Sequence, residues 1–481
     1  MLEELINERR KKLERIRDKG IDPYPAAARR TARISDTVKN FQKLSKSKKR
    51  VQLAARIAGL RDQGGVIFLD VQDESGRVQA VLKKENLKDF SFWKEVLDRG
   101  DFLEIGGSAF LTKRGEKSIE VKTVRLLTKS LRPLPTDWYG LDDVETRLRR
   151  RYVDLVVHPE VRELFQKKSL FWQSMRDCMR GEGFMEVETP VFEQTPGGAD
   201  ATPFATHLNA LDIDLYLRIS LELYQKRLLV GGFEKVFEIG RVFRNEGIDA
   251  EHLQDYTALE FYWAYADYKE LMKFVEKLYK TAIKKTFGTL RITSQGHTAN
   301  WGTKWKTLDY SHAFKEATGI ELRGVHADTL YQKALKLHLE PARGLGVGRL
   351  IDLIYKKTVR PHVIQPTFLV NHPVAVSPLA KRHPDDPEIT QRIQVLAYGT
   401  ELGNGWSELN DPLDQKQRFE EQMRLRAAGD EEAQMMDEDF VEALEYGMPP
   451  AAGFGLSERL FSVLVDKPVR ETVFFPLMRP K

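Results

Sequence analysis

The sequence has a single cysteine, Cys178, among 481 residues, which excludes an internal disulfide and a metal centre built from several cysteines. Chains without disulfides are typical of reducing compartments, so we expect a cytoplasmic protein. No apolar run approaches the roughly 18 residues that a transmembrane helix requires. The N-terminal segment MLEELINERRKKLERIRDKG has no apolar core of the kind found in signal peptides. These absences predict a globular protein without a membrane partner.

The chain also lacks a G-x-x-x-x-G-K-S/T phosphate loop, an internal repeat and any low-complexity tract. Its lysines and arginines number 76 and its aspartates and glutamates 71, for a formal net charge of +5. This balance permits a polyanionic partner, but the mildly basic surface of an ordinary globular protein explains it equally well. A chain of 481 residues is too long for one ordinary core, so two or three domains are expected.

Changes in residue composition and in hydrophobic pattern along the chain predict where the domains begin and end. Residues 1–50 are predicted to form a helix that ends at Gly20 and then a basic linker containing KLSKSKKR. Five short β-rich runs within residues 51–130 predict a small barrel of the OB type, although their spacing also fits a β-sandwich. Residues 131–145 contain two prolines and are predicted to be a connector. Residues 146–481 mix strands and helices without a regular βαβ rhythm, which predicts one large α+β domain.

The segment VFEIGRVFRNEGIDAEHLQDYTALEFY, residues 236–262, has two alternating runs around a charged loop. This pattern predicts a hairpin that brings Arg244 and Glu260 together at the base of one binding site. Glu260 and Tyr262 are two residues apart on one strand and therefore share a face. An arginine suits a phosphate or a carboxylate, and a buried acid suits a cation. The hairpin therefore predicts a site where a substrate with both a carboxylate and an amine meets a nucleotide.

Two later segments add charged side chains at wide spacing. ELGNGWSELND carries Glu401 and Glu408, and the Gly-Asn-Gly between them predicts a strand–turn–strand. Without further context, a solvated acidic loop explains this segment equally well. GFGLSERLFSVLV carries Arg459. Its glycines would let the backbone approach a flat base, and the arginine would reach a terminal phosphate. A lone Gly-x-Gly is weak support for such a site.

These segments, in this order, resemble the bacterial-type lysyl-tRNA synthetases of class II. The hairpin resembles motif 2, the helix at residues 159–181 with GFMEVETPVF resembles motif 1, and GFGLSERLFSVLV resembles motif 3. PGGADATPF, LELYQKRLLVGG, SPLAKR and FFPLMRP extend the resemblance over almost the whole chain. It implies an α+β fold in which an N-terminal OB-fold barrel precedes a class II catalytic domain with a central antiparallel sheet. It also implies a homodimer, because motif 1 builds the dimer interface in this family.

The resemblance implies that L-lysine reacts with MgATP to form lysyl-adenylate, and that lysine then passes to the 3′ end of tRNA(Lys). Arg244 and Arg459 are implied as the catalytic residues, and Glu401 and Glu408 as ligands of Mg²⁺. The residues implied in ATP binding are Arg244, Glu246, His252, Tyr256, Glu401, Glu408 and Arg459. The residues implied in lysine binding are Gly198, Glu222, Arg244, Glu260, Tyr262 and Asn410.

The barrel of related enzymes reads the anticodon with an arginine, a stacking aromatic and a glutamine. Arg61, Phe68 and Gln79 match that order and spacing. Stacking of a base on an aromatic side chain is worth ~1–3 kcal/mol, and RNA sequence is read mainly in single-stranded loops. Phe68 alone fits the core of a barrel as well. The triplet favours RNA, but it does not separate lysine tRNA from aspartate or asparagine tRNAs, which share the central uridine.

The sequence departs from the family pattern at several positions. Ser220-Leu221 replaces Ala-Pro, the stretch 251–257 replaces Arg-His-Asn-Pro-Glu-Phe-Thr, and motif 3 lacks its third glycine. These changes predict local differences at the lysine site, at the adenine site and in contacts to pyrophosphate or the tRNA acceptor end. Three alternatives stay open at this point. They are an aspartate– or asparagine–tRNA ligase, a paralogue that attaches lysine to a protein, and an RNA-binding protein without catalysis.

Overall fold

The structure is a computed structural model in which two compact units, Met1–Arg147 and Leu148–Lys481, are recognised. The residues that it describes are 2–135, 141–247, 252–427 and 433–480. Part of the predicted connector, residues 136–140, therefore lies outside the described residues. The same holds for Glu251, at the start of the altered motif 2 loop.

A closed five-stranded barrel forms the body of the first unit, with strand order β1-β2-β3-β5-β4. Its strands are β1 (Arg50–Asp62), β2 (Val66–Asp73), β3 (Gly76–Lys83), β4 (Phe102–Leu111) and β5 (Lys117–Thr128). The helices are α1 (Leu2–Asp18), α2 (Ile34–Lys39), α3 (Phe41–Ser47) and α4 (Phe90–Val96), and α5 (Val144–Arg149) spans the boundary between the units. Ile57, Leu69 and Ile105 alternate with outward residues and fill the barrel. The predicted OB-type barrel is confirmed.

The N-terminal helix ends as the sequence predicts, because Gly20 adopts a left-handed conformation with φ of 74°. The predicted basic linker, in contrast, is wrong in part, since Phe41–Ser47 forms the helix α3. Phe41 is buried in the barrel core, and Leu44 packs against the same core three residues later. That spacing gives the segment one apolar helical face. The many lysines of the segment make it resemble a polar linker when only its charge is considered.

A large sheet organises the second unit, in the order β14-β15-β16-β17-β18-β11-β10-β6. Its strands are β6 (Met185–Glu186), β10 (Lys235–Phe243), β11 (Asp255–Ala264), β14 (Lys306–Asp309), β15 (Thr367–Val370), β16 (Arg392–Ala397), β17 (Thr400–Ser407) and β18 (Ala451–Ser457). Two small sheets contain β7 (Phe192–Glu193), β8 (Ala205–Leu208), β9 (Ile213–Leu217), β12 (Arg291–Ser294) and β13 (His297–Asn300). The neighbouring strands from β15 to β10 are antiparallel, while β14 and β6 pair in parallel at the edges. The predicted fold class is confirmed, with parallel pairing added at both edges.

Helices surround this sheet. They are α6 (Arg151–Val157), α7 (Pro159–Gly181), α8 (Glu222–Val230), α9 (Tyr268–Phe287), α10 (Tyr310–Thr318), α11 (Ala327–Lys336), α12 (Val347–Thr358), α13 (Pro412–Ala427), α14 (Glu438–Glu445) and α15 (Arg459–Leu464). Single 3₁₀ turns occur at Arg360–His362, Val374–Val376 and Val469–Thr472. No helix among the described residues combines the length and the apolar character needed to cross a bilayer.

The helices α7 and α9 cover one face of the sheet and leave the other face for a cavity. On β11, Leu259 and Phe261 point into the main core, where Phe171 of α7 and Tyr279 of α9 also lie. The alternate residues of β11 therefore face the opposite side, because successive side chains on a strand point in opposite directions. Glu260 is one of these, so the polar half of the alternating pattern becomes the floor of the cavity.

The segment between Glu401 and Glu408 is a single strand, β17, so the predicted strand–turn–strand is wrong. Its glycines serve close packing in the sheet rather than a turn. A Cβ on Gly405 would lie 2.7 Å from Cδ2 of Phe454 on the neighbouring strand, and a Cβ on Gly403 would also meet that ring. Only glycine fits beneath the ring without a shift of one strand against the other.

Candidate active site

A cavity of about 1160 Å³ lies in the second unit on the sheet face opposite α7 and α9. Single small ligands usually occupy cavities of about 300–1,000 Å³, so this one has room for an amino acid together with a nucleotide. The site residues predicted from the sequence that line its wall are Gly198, Glu222, Arg244, Glu246, His252, Tyr256, Glu260, Tyr262, Glu401 and Arg459. Glu408 and Asn410, which were also predicted, are not on the wall.

Arg244 is held at the end of the motif 2 hairpin. It follows β10 directly, and its backbone N–H donates to the carbonyl of Gln254 at 2.7 Å. Its Nε donates to the carbonyl of Ile219 at 3.3 Å. The guanidinium carbon lies 5.6 Å from the ring centroid of Tyr256, close enough for a cation–π contact. These contacts fix the side chain, and its position on the cavity wall allows it to bind an anionic group.

Glu260, on β11, supplies an acidic group at the base of the cavity. Oγ of Ser220 donates to its two oxygens at 3.0 and 3.1 Å, and the N–H of Leu221 donates at 3.1 Å. The hydroxyl of Tyr262 donates to Oε2 at 3.2 Å. Burial, with the nearby charge of Glu222 as the second cause, raises the pKa of Glu260 to about 7. These three donors, with the one hydroxyl hydrogen of Ser220 shared between two oxygens, orient a carboxylate that a cation in the cavity would stabilise.

The substituted pair Ser220-Leu221 therefore has a physical role at this floor. Ser220 donates through a hydroxyl that alanine lacks, and Leu221 donates through a backbone N–H that proline lacks. The sequence marked this pair as a departure from the family pattern. It did not reveal that both changes converge on Glu260.

Glu222 begins α8 and faces the same cavity while being 2% exposed. It accepts a hydrogen bond from Nζ of Lys226, one helical turn later. Burial raises the pKa of Glu222 to about 7. The loop at Gly198 lies close against this acid: φ is 83°, and a Cβ there would come within 2.8 Å of Cβ of Glu222. The loop can cover the acid at this distance only because residue 198 is glycine.

Glu408 lies behind the cavity wall rather than in it. Its Oε2 is 2.5 Å from Nζ of Lys226 and accepts a hydrogen bond from the indole of Trp406 at 2.8 Å. Its other oxygen, Oε1, is buried and has no hydrogen-bond partner among the described residues. A Cβ on Gly453 would collide with that oxygen, which therefore lies beside β18. Its role as a metal ligand stays a prediction: Lys226 contacts Oε2, and Oε1 is the oxygen left for a cation.

Glu401 does face the cavity, and a strand irregularity brings it there. Leu396 and Val395 of β16 pair with Glu401 and Gly403, so Leu402 is an extra residue on β17. The carboxylate accepts a hydrogen bond from Nε2 of Gln394 at 2.9 Å. Tyr355 donates in turn to Oε1 of Gln394 at 3.1 Å, which orients the amide. Gln394 was not predicted from the sequence, because no pattern in one strand shows which residue of the next strand it pairs with.

The cavity fits a Mg²⁺ ion that is bound in part by phosphate oxygens. Within the described parts of the chain, no group of three or more histidine, cysteine, aspartate or glutamate side chains is placed to hold a metal. Mg²⁺ in nucleotide sites commonly uses one or two carboxylates together with phosphate oxygens and waters. Glu401 supplies one carboxylate on the wall, which fits this pattern.

Asn410 is not on the cavity wall, and its predicted place in the lysine site stays a prediction. Nζ of Lys381 donates to its Oδ1 at 2.5 Å, and its own Nδ2 donates to the carbonyl of Met448 at 3.1 Å. Both ends of the amide are therefore engaged by the protein. The side chain bridges two loops beside the site instead of facing a ligand.

Arg459 begins α15, two residues after the end of β18, and lines the cavity. Its Nε is buried and has no hydrogen-bond partner among the described residues. The preceding acid, Glu458, does not compensate it, because Glu458 pairs with Lys168. A buried donor without a partner is costly, so this position favours an anionic ligand such as a phosphate.

The first unit carries a second candidate site on the outside of the barrel. In the strand register, Arg61 of β1 lies opposite Phe68 of β2. Gln79 of β3 lies opposite Asp70, which is two residues further along β2. Phe68 is half-buried, whereas its neighbours Ile67 and Leu69 point into the barrel core. The alternative in which Phe68 is a core residue is therefore wrong. The three predicted anticodon residues lie side by side on one outward face.

Comparison with known proteins adds a separate line of support. A family model described as "tRNA synthetases class II (D, K and N)" matches residues 143–479, and one described as "OB-fold nucleic acid binding domain" matches residues 51–127. The chain is 46% identical to the lysine–tRNA ligase of Carboxydothermus hydrogenoformans over all of this chain and 99% of that one. It is 45% identical to the lysine–tRNA ligase of Moorella thermoacetica over 99% and 98% of the two chains. The lysine–tRNA ligase of a Roseiflexus species is also 45% identical, over 100% and 99%.

The chain belongs to the class II tRNA synthetases. The resemblance stated from the sequence is thereby confirmed, as are the enzyme class and the fold that it implied. Enzymes of this class depend on ATP and generally on Mg²⁺. The first described strand of the barrel, β1, begins at Arg50, one residue before the match to the OB-fold model.

Sequence reasoning missed residues both on the wall of the cavity of this synthetase and behind it. Lys226 lies behind the wall and contacts Glu408, whereas Trp406 lines the wall and donates a hydrogen bond to the same acid. Lys226 had a signal in the sequence, because it stands four residues after Glu222 on an expected helix, where side chains meet. The sequence signal for Trp406 was weaker. Trp406 stands two residues before Glu408, and side chains two residues apart on a strand share a face.

Proposed function

We propose that the protein is a lysine–tRNA ligase, which joins L-lysine to ATP and then to tRNA(Lys). The observation that carries this proposal is that two acids, Glu222 and Glu260, line the same cavity as the arginine Arg244. A buried ammonium without a partner costs several kcal/mol, so an acid-rich pocket selects a substrate with more than one positive group. The names of the three relatives agree with this choice.

In the proposed complex, Arg244 binds the carboxylate of lysine and Glu222 binds its α-ammonium group. Glu260 and the hydroxyl of Tyr262 bind the ε-ammonium group, and the loop at Gly198 covers the substrate. A neutral analogue such as norleucine would leave an acid buried without a partner. Discrimination of roughly 10⁴-fold is then reached by binding alone, without a separate editing site.

The proposed first reaction is an attack by a lysine carboxylate oxygen on the α-phosphorus of ATP. The new P–O bond forms as the bond to pyrophosphate breaks, and no proton needs to move. The protein therefore contributes alignment and positive charge. We assign Arg244 to the carboxylate and α-phosphate together, and Arg459 to the outer phosphates.

The nucleotide in this proposal lies along the motif 2 hairpin. Tyr256 offers a ring for the adenine, and Glu246 and His252 line the nearby wall. Glu401 would hold a Mg²⁺ ion, which supplies charge neutralisation on the phosphates when bound. A hydroxyl of the terminal tRNA ribose then attacks the carbonyl carbon of the adenylate, the bond from that carbon to the phosphate oxygen breaks, and AMP leaves with the hydroxyl proton.

The barrel is proposed to bind the anticodon loop through its outward face. Phe68 would stack on the central uridine, while Gln79 reads the edge of that base and Arg61 contacts the backbone. Arg61 lies 3.6 Å from Asp70, which holds it beside the ring in the absence of RNA. Its guanidinium is more than half exposed, so a phosphate can replace this weak surface pair.

We also propose that two copies assemble, and that the dimer works in the cytoplasm, where its tRNA product is used. The edge strand β6 is only two residues long and exposes Met185. Phe192 and Val191 follow within one segment and are also exposed, Phe192 to 55%. Exposed apolar side chains at a sheet edge are typical of an interface. Light scattering after size exclusion should give a mass of about twice 55.4 kDa, and Phe192→Asp should lower it.

The test of the function is ATP–pyrophosphate exchange with each of the twenty amino acids. We expect exchange with lysine alone at low substrate concentration. Strong exchange with aspartate or asparagine would replace the proposed substrate. RNA binding without any exchange would identify a non-catalytic RNA-binding protein. Lysine activation without transfer to tRNA, but with transfer to a protein, would identify a lysylating paralogue.

A further inference from the structure

Five cations lie within the eight residues 43–50, on α3 and at the start of β1. They are Lys43, Lys46, Lys48, Lys49 and Arg50, and all five are exposed. None of them forms an ion pair with any residue that the structure describes. We call these five residues the α3 cation surface.

The α3 cation surface is held in place by the barrel. Phe41 is buried in the barrel core and Leu44 packs against it, so α3 presents its other side to solvent. Oγ of Ser108 on β4 donates to the carbonyl of Lys48 at 3.2 Å. Nζ of Lys117 on β5 lies 5.7 Å from the ring centroid of Phe41. The cations therefore project from a fixed helix and its end rather than from a flexible linker.

The stability of α3 itself does not explain this charge. Lys43 lies in the first turn of the helix, which has no acidic residue, and a positive charge at that end opposes the helix dipole. Lys43 and Lys46 are three residues apart, where side chains on a helix are neighbours and like charges repel. Only Lys46 and the residues after it lie at the C-terminal end, where the dipole favours a cation. An anionic partner would offset the repulsion within the surface.

The acids on the elements around α3 do not neutralise these cations. Glu104 on β4 and Glu120 on β5 already pair with other cations of the barrel. Asp36 on α2 and Glu116 beside β5 are exposed, and among the described residues neither pairs with the α3 cation surface. The positive charge of the surface is therefore open to a ligand.

The strand β5 connects the α3 cation surface to the predicted anticodon residues. Lys117, which lies over the ring of Phe41, is followed by Ser118, whose Oγ donates to Oε1 of Gln79 at 3.0 Å. An RNA strand whose base meets Gln79 would thus lie one β-strand away from α3. Lysine is a compact point charge that binds phosphate oxygens without reading a base. This chemistry suits the sugar–phosphate backbone of that RNA.

We propose that the α3 cation surface is a second RNA-binding surface, which binds backbone phosphates of the tRNA beside its anticodon loop. It adds affinity that depends on salt and not on sequence, whereas Phe68 and Gln79 read the anticodon. This inference rests on the proposed function, because it assumes that the outward face of the barrel binds the anticodon loop of tRNA(Lys).

The salt dependence of tRNA binding tests this surface. Lys43→Gln/Lys46→Gln removes two exposed cations and keeps the apolar face of α3. In a filter assay with tRNA(Lys), the slope of log K against log salt concentration should become shallower by about 1.4–1.8, since each phosphate contact contributes about 0.7–0.9. Affinity at 0.15 M salt should fall roughly 10- to 30-fold, and by the same factor for a transcript with a changed anticodon. Phe68→Ala should instead weaken tRNA(Lys) more than that transcript.

Lys269→Gln/Lys273→Gln is the matched control, because it removes two exposed lysines from α9 in the second unit. This control should leave the slope unchanged, and the thermal midpoints of both double variants should stay close to that of the wild type. Equal slopes for Lys43→Gln/Lys46→Gln and the wild type would overturn the α3 surface alone. Weakened binding of that variant to phosphatidylserine vesicles, with an unchanged tRNA slope, would also overturn it and assign the surface to a membrane. Failure of the wild type to bind tRNA(Lys) at all would refute the proposed function.

Discussion

Replacement of Glu260 by glutamine should weaken substrate activation and stabilise the empty enzyme at the same time. The amide is close in shape to the carboxylate, and its Oε1 can still accept from the N–H of Leu221. The hydroxyls of Ser220 and Tyr262 can rotate so that one accepts from the new NH₂ group. The hydrogen-bonded frame therefore survives, and the main change is loss of the negative charge.

The size of each effect follows from the surroundings of Glu260. Burial raises its pKa from 4.5 to about 7, so ionising it in the empty fold costs about 3 kcal/mol above pH 7. A raised acid pKa means that this part of the stability is fully present below about pH 4.5 and is lost as pH rises through about 7. Glu260→Gln should therefore gain stability over the wild type as the pH rises. Loss of one charge-assisted hydrogen bond should lower kcat/KM for lysine roughly 10- to 150-fold.

The assay combines thermal denaturation with pyrophosphate exchange. Melting of the wild type and Glu260→Gln at pH 4.5 and pH 8 should give similar midpoints at the lower pH and a higher midpoint for the variant at the higher pH. Added lysine should raise the wild-type midpoint more at pH 8 than at pH 4.5, because its ammonium then meets an ionised acid. An unchanged KM for lysine, or equal destabilisation of the variant at both pH values, would refute the reasoning.

Three further predictions test other parts of the molecule. Arg244→Ala should lower pyrophosphate exchange by about 10³-fold, since one preorganised donor is commonly worth 10²–10³; near-normal exchange would contradict its assignment. Phe68→Ala should weaken tRNA(Lys) binding by about 1–3 kcal/mol in a filter assay and leave exchange without tRNA unchanged. Gly198→Ala should raise the KM for lysine, because its Cβ meets Glu222 at a φ of 83°. Gly115→Ala, at a φ of 81° with open space around it, is the matched control and should leave this KM unchanged.

The sequence predicted those features that depend on local spacing. Alternation placed Glu260 and Tyr262 on one face of one strand, and the cavity contains both. The OB-type barrel followed from short β-rich runs separated by turn residues. Such patterns work because side-chain direction repeats every two residues in a strand, whatever the strand pairs with.

Features that depend on pairing between distant segments were not predictable in the same way. The glycines of ELGNGWSELND suggested a turn, but their cause is the ring of Phe454, about 50 residues away in sequence and on the next strand. The contact of Glu408 with Lys226 was not predictable, because nothing in the segment of Glu408 shows that this lysine lies beside it. The lysine-rich helix α3 was missed for a related reason: its one buried ring, Phe41, is recognised only when the barrel core is known.

The extra residue Leu402 has a consequence for how β17 tolerates change. Seven positions separate Glu401 from the end of the segment at Glu408, an odd number that would normally place them on opposite sides of a strand. The irregularity shifts the phase by one, so Leu402 and Gly403 both turn toward the core while Glu401 turns toward the nucleotide side. Deletion of Leu402 would restore regular alternation and keep both acids on one side, whereas deletion of one residue between Gly403 and Glu408 would turn an acid into the aromatic interior. In this strand, length is therefore under a tighter constraint than the identity of most of its side chains.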